Sequence, residues 1–168
     1  FLLVGQVNSE LPYMQGEAEI GRDQFAHMLE TPDVDFPLFA PPKQPVDIAD
    51  YATGLHVARL VPDGGTLQIG IGSMGDALAR SLILRHREND TFRGLRSRLG
   101  PSRPDDHLGT FDAGLYGLSE MLVDGFMELA REGILKREVD GVLMHAAFFL
   151  GPKSFYRELR EMPEALRA

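Results

Sequence analysis

The stretch Thr66–Leu78 constrains the fold of this chain more than any other. An apolar run, Thr66–Ile71, leads through three glycines (Gly70, Gly72 and Gly75) directly into an amphipathic helix pattern. A strand that turns sharply through glycines into a helix is a basic unit of α/β sheets. Because helix and strand patterns continue to alternate after residue 46, we expect an α/β fold with an open, mostly parallel sheet flanked by helices.

The three glycines also spell G-x-G-x-x-G, the dinucleotide-binding fingerprint. That motif requires an acidic residue at the end of a second strand, about 20 positions further on. Glu88 and Asp90 lie at this distance, but Arg85-His86-Arg87 precedes them and is typical of a basic helix end. A Rossmann-type NAD(P)-dependent oxidoreductase therefore stays as an alternative. In either case, the free N–H groups of a helix N-terminus suit an anion or a developing oxyanion.

Composition excludes several classes of function. A formal charge of −8 argues against general nucleic-acid binding, which needs a basic surface. The absence of cysteine excludes disulfides, thiolate metal sites and cysteine nucleophiles, and it fits a cytoplasmic protein. No apolar run approaches the roughly 18 residues that span a bilayer. We therefore expect no membrane partner. The five histidines lack the spacing of metal ligands, so we also expect no metal.

Residues 31–45 mark the best candidate for a domain boundary, because they hold five prolines, Pro32, Pro37, Pro41, Pro42 and Pro45. Periodicity predicts helices and strands on both sides of it. The expected helices are Val46–Leu60, Met74–Arg87, Glu120–Glu132 and Pro152–Arg160. The expected strands are Phe1–Val7 (buried), Thr66–Ile71 (central), Ala113–Leu118 and Val142–Leu150. Residues 88–113 are expected to be irregular.

The second informative stretch is Gly114–Gly125, in which Glu120 is expected where a strand ends and a helix begins. In an α/β sheet this is the carboxyl edge of the strands, where ligands bind. A glutamate in a first helical turn also interacts favourably with its own helix dipole. Local pattern alone leaves both interpretations open.

The two stretches together resemble the acetyl-CoA hydrolase/transferase family, the class I CoA-transferases. Asp63–Gly72 is similar to the family's DGATLQ-GIG segment, and Ser119-Glu120-Met121 with Asp124-Gly125 is similar to S/T-E-M-x-x-D-G. Weaker matches occur in the same order around Val7–Gly16 and around Phe148–Tyr156, so the resemblance covers roughly residues 4–163.

The resemblance implies an acyl-CoA:carboxylate CoA-transferase or acetyl-CoA hydrolase that acts through a covalent glutamyl intermediate. Glu120 is then the nucleophile, with Ser119 and Asp124 supporting it. The CoA-binding residues are Gln68, Gly70, Ile71 and Gly72. The resemblance implies acyl-CoA and a small carboxylate as substrates, with no metal or redox cofactor.

Two departures from the family pattern limit what is carried over. A downstream glycine-rich segment of the family is not in this sequence, so we interpret the chain as a fragment. Residues 1–45 would be the tail of an N-terminal CoA-transferase domain with a linker, and residues 46–168 the first part of the C-terminal one. The fragment alone is then expected to lack activity, and a catalytically incomplete acyl-CoA-binding module is a further alternative. A homodimer of the full-length form is left open.

The other departure is an arginine-rich insert, about residues 86–112. Seven of the fourteen arginines of the chain lie in residues 80–103. Such a segment is either a solvated, mobile basic loop or a contact surface for CoA phosphates or for another part of the protein.

Overall fold

The computed structural model describes residues 1–31, 33 and 36–163. Two short 3-10 turns, Gly16–Ala18 and Arg22–Gln24, accompany the helices and strands. The strands are β1 (Val4–Gln6), β2 (His27–Leu29), β3 (Thr66–Leu67), β4 (Tyr116–Leu122) and β5 (Met144–Phe149). The helices are α1 (Ile48–Ala58), α2 (Ser73–Arg87), α3 (Asn89–Arg98), α4 (Asp124–Arg131) and α5 (Lys153–Glu161).

The chain divides into two compact units. The larger unit is Pro42–Phe149, and the smaller contains the described residues of Phe1–Pro41 and of Leu150–Ala168. Pro32, Val34 and Asp35 of the predicted linker and the last five residues of the predicted second domain lie outside the described residues. The assignment of residues 1–45 and 46–168 to two CoA-transferase domains stays a prediction.

The larger unit is built on a three-stranded parallel sheet in the order β3-β4-β5. Thr66 pairs with Tyr116, and Gly117 pairs with Met144. Parallel neighbours need crossover connections, and helices provide them between the strands of this sheet. This confirms the expected α/β class with a parallel sheet and helices.

Helix α1 begins with a reciprocal cap, because the side chain of Asp47 accepts from the N–H of Asp50 and the side chain of Asp50 accepts from Asp47. Helices α1 and α2 pack closely at Gly54, where a Cβ atom would lie 2.7 Å from the carbonyl oxygen of Ala77. They run in the same direction, since Arg85 near the end of α2 reaches the carbonyl of Ala58 at the end of α1.

One face of the sheet forms the core with the helices. The buried cluster includes Leu67 and Ile69 from the β3 segment, Leu82 from α2 and Phe126 and Leu129 from α4. Each such side chain contributes about 1.5–3 kcal/mol by leaving water. On the other face, Gln68, Leu118 and Glu120 are exposed.

Several expected element boundaries are wrong. Strand β3 is an edge strand that ends at Leu67, and β4 is the central strand. Strand β4 extends to Leu122, so helix α4 starts at Asp124 rather than at Glu120. The seven-residue strand forms because ladder pairing with β5 continues through Leu122, which a local pattern cannot reveal.

The expected irregular segment contains helix α3, whose Phe92 is fully buried. The interpretation as a solvated basic loop is wrong for Arg96, which is buried in α3. Arg85, in the predicted helix α2, is buried as well. Arg85 donates from Nε to the carbonyl of Gly109 at 2.6 Å and from Nη1 to those of Ala58 and Val61 at 2.8 and 2.5 Å. Burial lowers the pKa of Arg85 to about 10, so the guanidinium stays charged at neutral pH. The guanidinium of Arg85 thus provides hydrogen-bond donors for a carbonyl oxygen at the end of α1 and for two carbonyl oxygens of loops.

The smaller unit pairs β1 with β2 in parallel, with Val4 beside His27. The expectation of a buried first strand is wrong, because Val4 is exposed. Phe155, Tyr156 and Leu159 of α5 are buried, and the Tyr156 hydroxyl donates to the carbonyl of Phe39 at 3.1 Å. Within the described parts of the chain, no helix has the length and apolar character to cross a membrane.

Candidate active site

Glu120 projects from the interior of β4. Side chains alternate between the faces of a strand, so Leu118 and Glu120 share one face, and Gly117 and Ser119 lie on the other. Burial follows this alternation: Ser119 is buried, whereas Glu120 is exposed and Leu118 is 54% exposed. The carboxylate therefore stands on the open face of the central strand, two residues before that strand ends.

Gln68 lies on the same open face. The register that pairs Leu67 with Gly117 continues beyond β3, because the Ser119 hydroxyl donates to the carbonyl of Ile69 at 3.3 Å. Extending this register sets Gln68 beside Leu118, and Gly70 beside Glu120. Neighbouring strands lie about 4.8 Å apart, so the start of the glycine turn and the glutamate are adjacent.

The glycine turn, Gly70–Gly72, is open to solvent. Gly70, Ile71 and Gly72 are all exposed, and a Cβ atom at either glycine would meet nothing within 4 Å. Gly72 is the N-cap of α2 and has a φ of 105°, a conformation that side chains other than glycine rarely adopt. The first N–H groups of α2 lack partners within the helix, so this end of α2 is suited to a negatively charged oxygen.

Gly75 has a packing role that the sequence interpretation of the glycine motif did not give it. A Cβ atom at Gly75 would lie 2.2 Å from the carbonyl oxygen of Gly70. Glycine at this position therefore lets the first turn of α2 fold against the glycine turn. The third glycine of the motif therefore has a packing role that requires no dinucleotide.

Ser119 and Asp124, the predicted supporting residues, occupy different positions. The Ser119 hydroxyl lies on the face opposite Glu120, where it donates to Ile69 and accepts from the N–H of Met121 at 3.4 Å. It links the glutamate strand to the segment that enters the glycine turn. Asp124 is the first residue of α4 and forms an ion pair of 2.9 Å with Lys43.

Lys43 was not predicted as a site residue. Its pKa is raised by the hydrogen bond to Asp124 and by the charges of Asp124, Asp76 and Glu128, against the opposing effect of burial. Asp76 lies in the first turn of α2, and Asp124 and Glu128 are one turn apart on α4. Lys43 is thus paired with the first residue of α4, and the negative charge of Asp76 in α2 also acts on it. Sequence reasoning missed it because a lysine between prolines carries no local sign of a partner 81 positions away.

A second polar group lies at the other end of β4. The Tyr116 hydroxyl is hydrogen-bonded to Nδ1 of His145, and the guanidinium of Arg137 lies 5.3 Å from the centre of the Tyr116 ring. Tyr116 shares a face with Glu120, but four residues of strand separate them by about 13 Å. This group is therefore not in contact with the candidate nucleophile.

Metal ligands are not gathered at any point of the described structure. Within residues 1–31, 33 and 36–163, no group of three or more His, Cys, Asp or Glu side chains could hold a metal ion.

The fold is that of solved CoA-transferase structures. The chain superimposes on a 4-hydroxybutyrate CoA-transferase from Porphyromonas gingivalis with a TM-score of 0.64 and 24% identity, over 96% of this chain and 34% of that one. RipA from Yersinia pestis gives a TM-score of 0.70 with 23% identity, over 97% of this chain and 32% of that one. At these identities the likeness establishes the fold.

Curated relatives point to the same class. The chain is 27% identical over 167 residues to a 4-hydroxybutyrate coenzyme A transferase from Clostridium kluyveri, covering 96% of this chain and 32% of the relative. It is 25% identical over 164 residues to a succinyl-CoA:cyclohexane-1-carboxylate CoA transferase from Geobacter metallireducens, covering 96% of this chain and 31% of that relative. The chain spans about a third of the length of these relatives, and no protein-family model matches it. The resemblance to CoA-transferases predicted from the motifs is confirmed.

Proposed function

We propose that this chain supplies the nucleophilic glutamate of an acyl-CoA:carboxylate CoA-transferase, and that Glu120 is that residue. One observation carries the proposal: Glu120 is exposed on the open face of the central strand, beside a glycine turn that caps a helix N-terminus. The similarity to two CoA transferases supports the same class of reaction.

The first half of the reaction transfers CoA to the enzyme. A carboxylate oxygen of Glu120 attacks the thioester carbonyl carbon, the C–S bond breaks, and CoA thiolate leaves, so that an acyl-glutamyl anhydride remains. The thiolate then attacks the glutamyl carbonyl carbon of this anhydride. The first acyl group departs as a free carboxylate, and a glutamyl-CoA thioester remains.

The second half runs these steps in reverse with a different acid. The incoming carboxylate attacks the glutamyl carbonyl and displaces CoA thiolate, which forms a second mixed anhydride. The thiolate then attacks the new acyl carbon, so a new acyl-CoA forms and the Glu120 carboxylate is regenerated. Attack by water on an anhydride or on the thioester would give hydrolysis at the same residue.

The glycine turn is suited to stabilise the oxygen that becomes negative in each attack. Gly70 and Gly72 keep the backbone of the turn free of side chains, and Gln68 adds an amide on the face of Glu120. In this proposal Ile71, 54% exposed, contacts the apolar part of the acyl-CoA. Ser119 and Asp124 act indirectly, by holding β4 and the start of α4.

CoA and small carboxylates are the proposed substrates, and the chemistry needs no metal or redox cofactor. A cytoplasmic location is proposed from the cysteine-free composition alone. We also propose that the longer polypeptide forms a homodimer. The trapping of the covalent adduct does not depend on this.

The experiment uses the longest natural polypeptide that contains this sequence. Acyl-CoA is added, the covalent adduct is trapped with hydroxylamine or borohydride, and the labelled residue is located by mass spectrometry. We expect label on Glu120 and a loss of carboxylate exchange of about a thousandfold or more in Glu120→Gln. Glu138→Gln, which alters an exposed carboxylate elsewhere, is the matched control and should keep full activity.

Four outcomes would contradict the proposal. Label on another residue, or full exchange by Glu120→Gln, would remove Glu120 from the reaction. Binding of CoA without exchange of labelled carboxylate would favour an incomplete acyl-CoA-binding module. Binding of NAD(P)H without CoA would favour the oxidoreductase alternative.

A further inference from the structure

His145 lies on the open face of the sheet, in the strand next to that of Glu120. Strand β5 pairs Met144 with Gly117, and a Cβ atom at Gly117 would lie 2.7 Å from the side chain of Met144, so Met144 covers the opposite face. Because side chains alternate along a strand, His145 projects from the open face. Its hydrogen bond to Tyr116 agrees with this, since Tyr116 and Glu120 share that face.

Strand register sets the distance between His145 and Glu120. His145 pairs with Leu118, and the same register sets Ala147 beside Glu120. With strands about 4.8 Å apart and a rise of about 3.3 Å per residue, the Cα atoms of His145 and Glu120 lie about 8 Å apart on the diagonal. Both side chains are exposed. Their separation leaves room for a small group that lies about 3 Å from each of them.

Tyr116 determines which nitrogen of His145 is free for a ligand. The Tyr116 hydroxyl is hydrogen-bonded to Nδ1, and Tyr116 is only 5% exposed, so its O–H needs an acceptor within the protein. Since this hydroxyl donates to Nδ1, the neutral imidazole carries its proton on Nε2. The imidazolium carries a proton there too, so Nε2 is a donor in either charge state. Such a donor suits the oxygen of a carboxylate.

Arg137 holds Tyr116 in this position. Its guanidinium lies 5.3 Å from the centre of the Tyr116 ring, and its Nη2 donates to the hydroxyl of Thr66 at 2.8 Å and to the carbonyl of Gly65 at 3.3 Å. Thr66 pairs with Tyr116 and so shares its face. Arg137 therefore ties the ring to the start of β3, and it brings a positive charge to the open face, which favours an anionic ligand.

Apolar side chains lie beside the donor. Leu118 is 54% exposed and pairs with His145, and Ala147 is exposed beside Glu120. Neither side chain can form a hydrogen bond, so both suit the alkyl chain of a ligand rather than its polar end. The four side chains thus combine a hydrogen-bond donor, the candidate nucleophile and a short apolar surface.

We propose that His145 binds the acid that receives CoA, by donating from Nε2 to an oxygen of its carboxylate. The ligand class is a small carboxylate with a short apolar chain. In the second half-reaction, one carboxylate oxygen accepts from His145 while the other attacks the glutamyl carbonyl carbon and CoA thiolate leaves. The role of the bound acid as acceptor of CoA rests on the proposed function, whereas the binding of a carboxylate does not. Tyr116 and Arg137 are positioning residues, because they act through His145.

The first test measures binding without turnover, in Glu120→Gln of the longest natural polypeptide that contains this sequence. Glutamine is neutral, as the glutamyl thioester is, so it does not repel an acid. Butyrate is titrated into protein that contains isotope-labelled histidine, and binding is followed by NMR. We expect a saturable shift of the His145 signal, which is assigned by its loss in His145→Asn. Butan-1-ol, which lacks the carboxylate, should leave this signal unchanged.

The second test separates ligand binding by His145 from a merely structural contact with Tyr116. An asparagine amide can replace Nδ1 as the partner of Tyr116 but has no group at the position of Nε2, whereas a glutamine amide can replace Nε2. We expect His145→Asn to raise the KM for the carboxylate about tenfold or more, and His145→Gln to change it less than about threefold. The KM for acyl-CoA and the yield of the Glu120 adduct should stay as in the parent. His107→Asn, at an exposed histidine of a loop, is the matched control and should change neither KM.

Three results would overturn the proposal: no saturable shift of the His145 signal, a carboxylate KM in His145→Asn equal to that of the parent, or an equal rise of both KM values in that variant. A saturable shift in a protein that forms no adduct on Glu120 would support binding by His145 and contradict the proposed function. The two proposals can therefore fail separately.

Discussion

Asp63 holds the loop that leads into β4 through a single carboxylate. Its two oxygens accept from the backbone N–H groups of Gly64, Asp112, Ala113 and Gly114 at 2.8–3.0 Å. Burial raises the pKa of Asp63, but the four N–H donors together outweigh this effect and hold the pKa below its ordinary value of 3.8. One side chain thus ties the turn before β3 to the start of the glutamate strand.

Asp63→Asn should destabilise the fold by about 1–2 kcal/mol at pH 7, because the amide keeps one acceptor oxygen and sets an NH2 donor against the N–H groups that the other oxygen binds. Partial solvation of the site limits the loss. Because the pKa of Asp63 is lower in the folded state than in the unfolded state, its carboxylate stabilises the fold at pH values above the unfolded-state pKa. This stabilisation is lost as the pH falls through the folded-state pKa. Denaturant unfolding between pH 7 and pH 2 should therefore show a flatter acid limb in Asp63→Asn. Glu138→Gln is the control and should show the same loss of stability at low pH as the parent. An equally steep loss of stability at low pH in Asp63→Asn and in the parent would contradict this prediction.

At the scale of elements, helix α2 approaches the glycine turn only because Gly75 has no side chain. Gly75→Ala would set a Cβ atom 2.2 Å from the Gly70 carbonyl, so the turn or the helix must shift. We expect a loss of about 1–3 kcal/mol in stability by thermal or chemical unfolding, together with weaker acyl-CoA binding.

Gly94→Ala is the matched comparison for that substitution. Gly94 lies in α3, where a Cβ atom would meet nothing within 4 Å. Alanine there should stabilise the protein by up to about 1 kcal/mol, because glycine is a poor helix former. Equal effects at the two glycines would show that the contact between Gly75 and Gly70 is unimportant.

Element boundaries show what local patterns can and cannot predict. The apolar spacing predicts α2 almost completely, because amphipathic periodicity is a property of consecutive residues. It fails at Glu120, which lies in a strand because β4 pairs with β5 up to Leu122. It fails again at α3, because the arginines and the glycine of that segment do not form an apolar helical pattern. Only the structure shows that Phe92 of α3 is buried in the core.

At the scale of the whole molecule, the two units differ in how much apolar surface they bury. The larger unit has a core of Leu82, Phe92, Phe111, Phe126 and other apolar residues, whereas the strands of the smaller one leave Val4 and Leu29 exposed. Hydrogen exchange should therefore be faster at the amides of β1 than at those of β4. Mass spectrometry of peptides from each strand measures this, and equal protection would contradict the difference in burial.

The sequence by itself determined the α/β class, the glycine turn at the start of α2 and the resemblance that singles out Glu120. These are encoded by consecutive residues, through periodicity, glycine conformation and ordered motifs. The tertiary structure alone decided that Gln68 shares the open face with Glu120 whereas Ser119 does not, that Lys43 pairs with Asp124 at the start of α4, and that Arg59 is buried against Asp106. Those facts depend on strand register and on contacts between residues tens of positions apart, where no local pattern reports the partner.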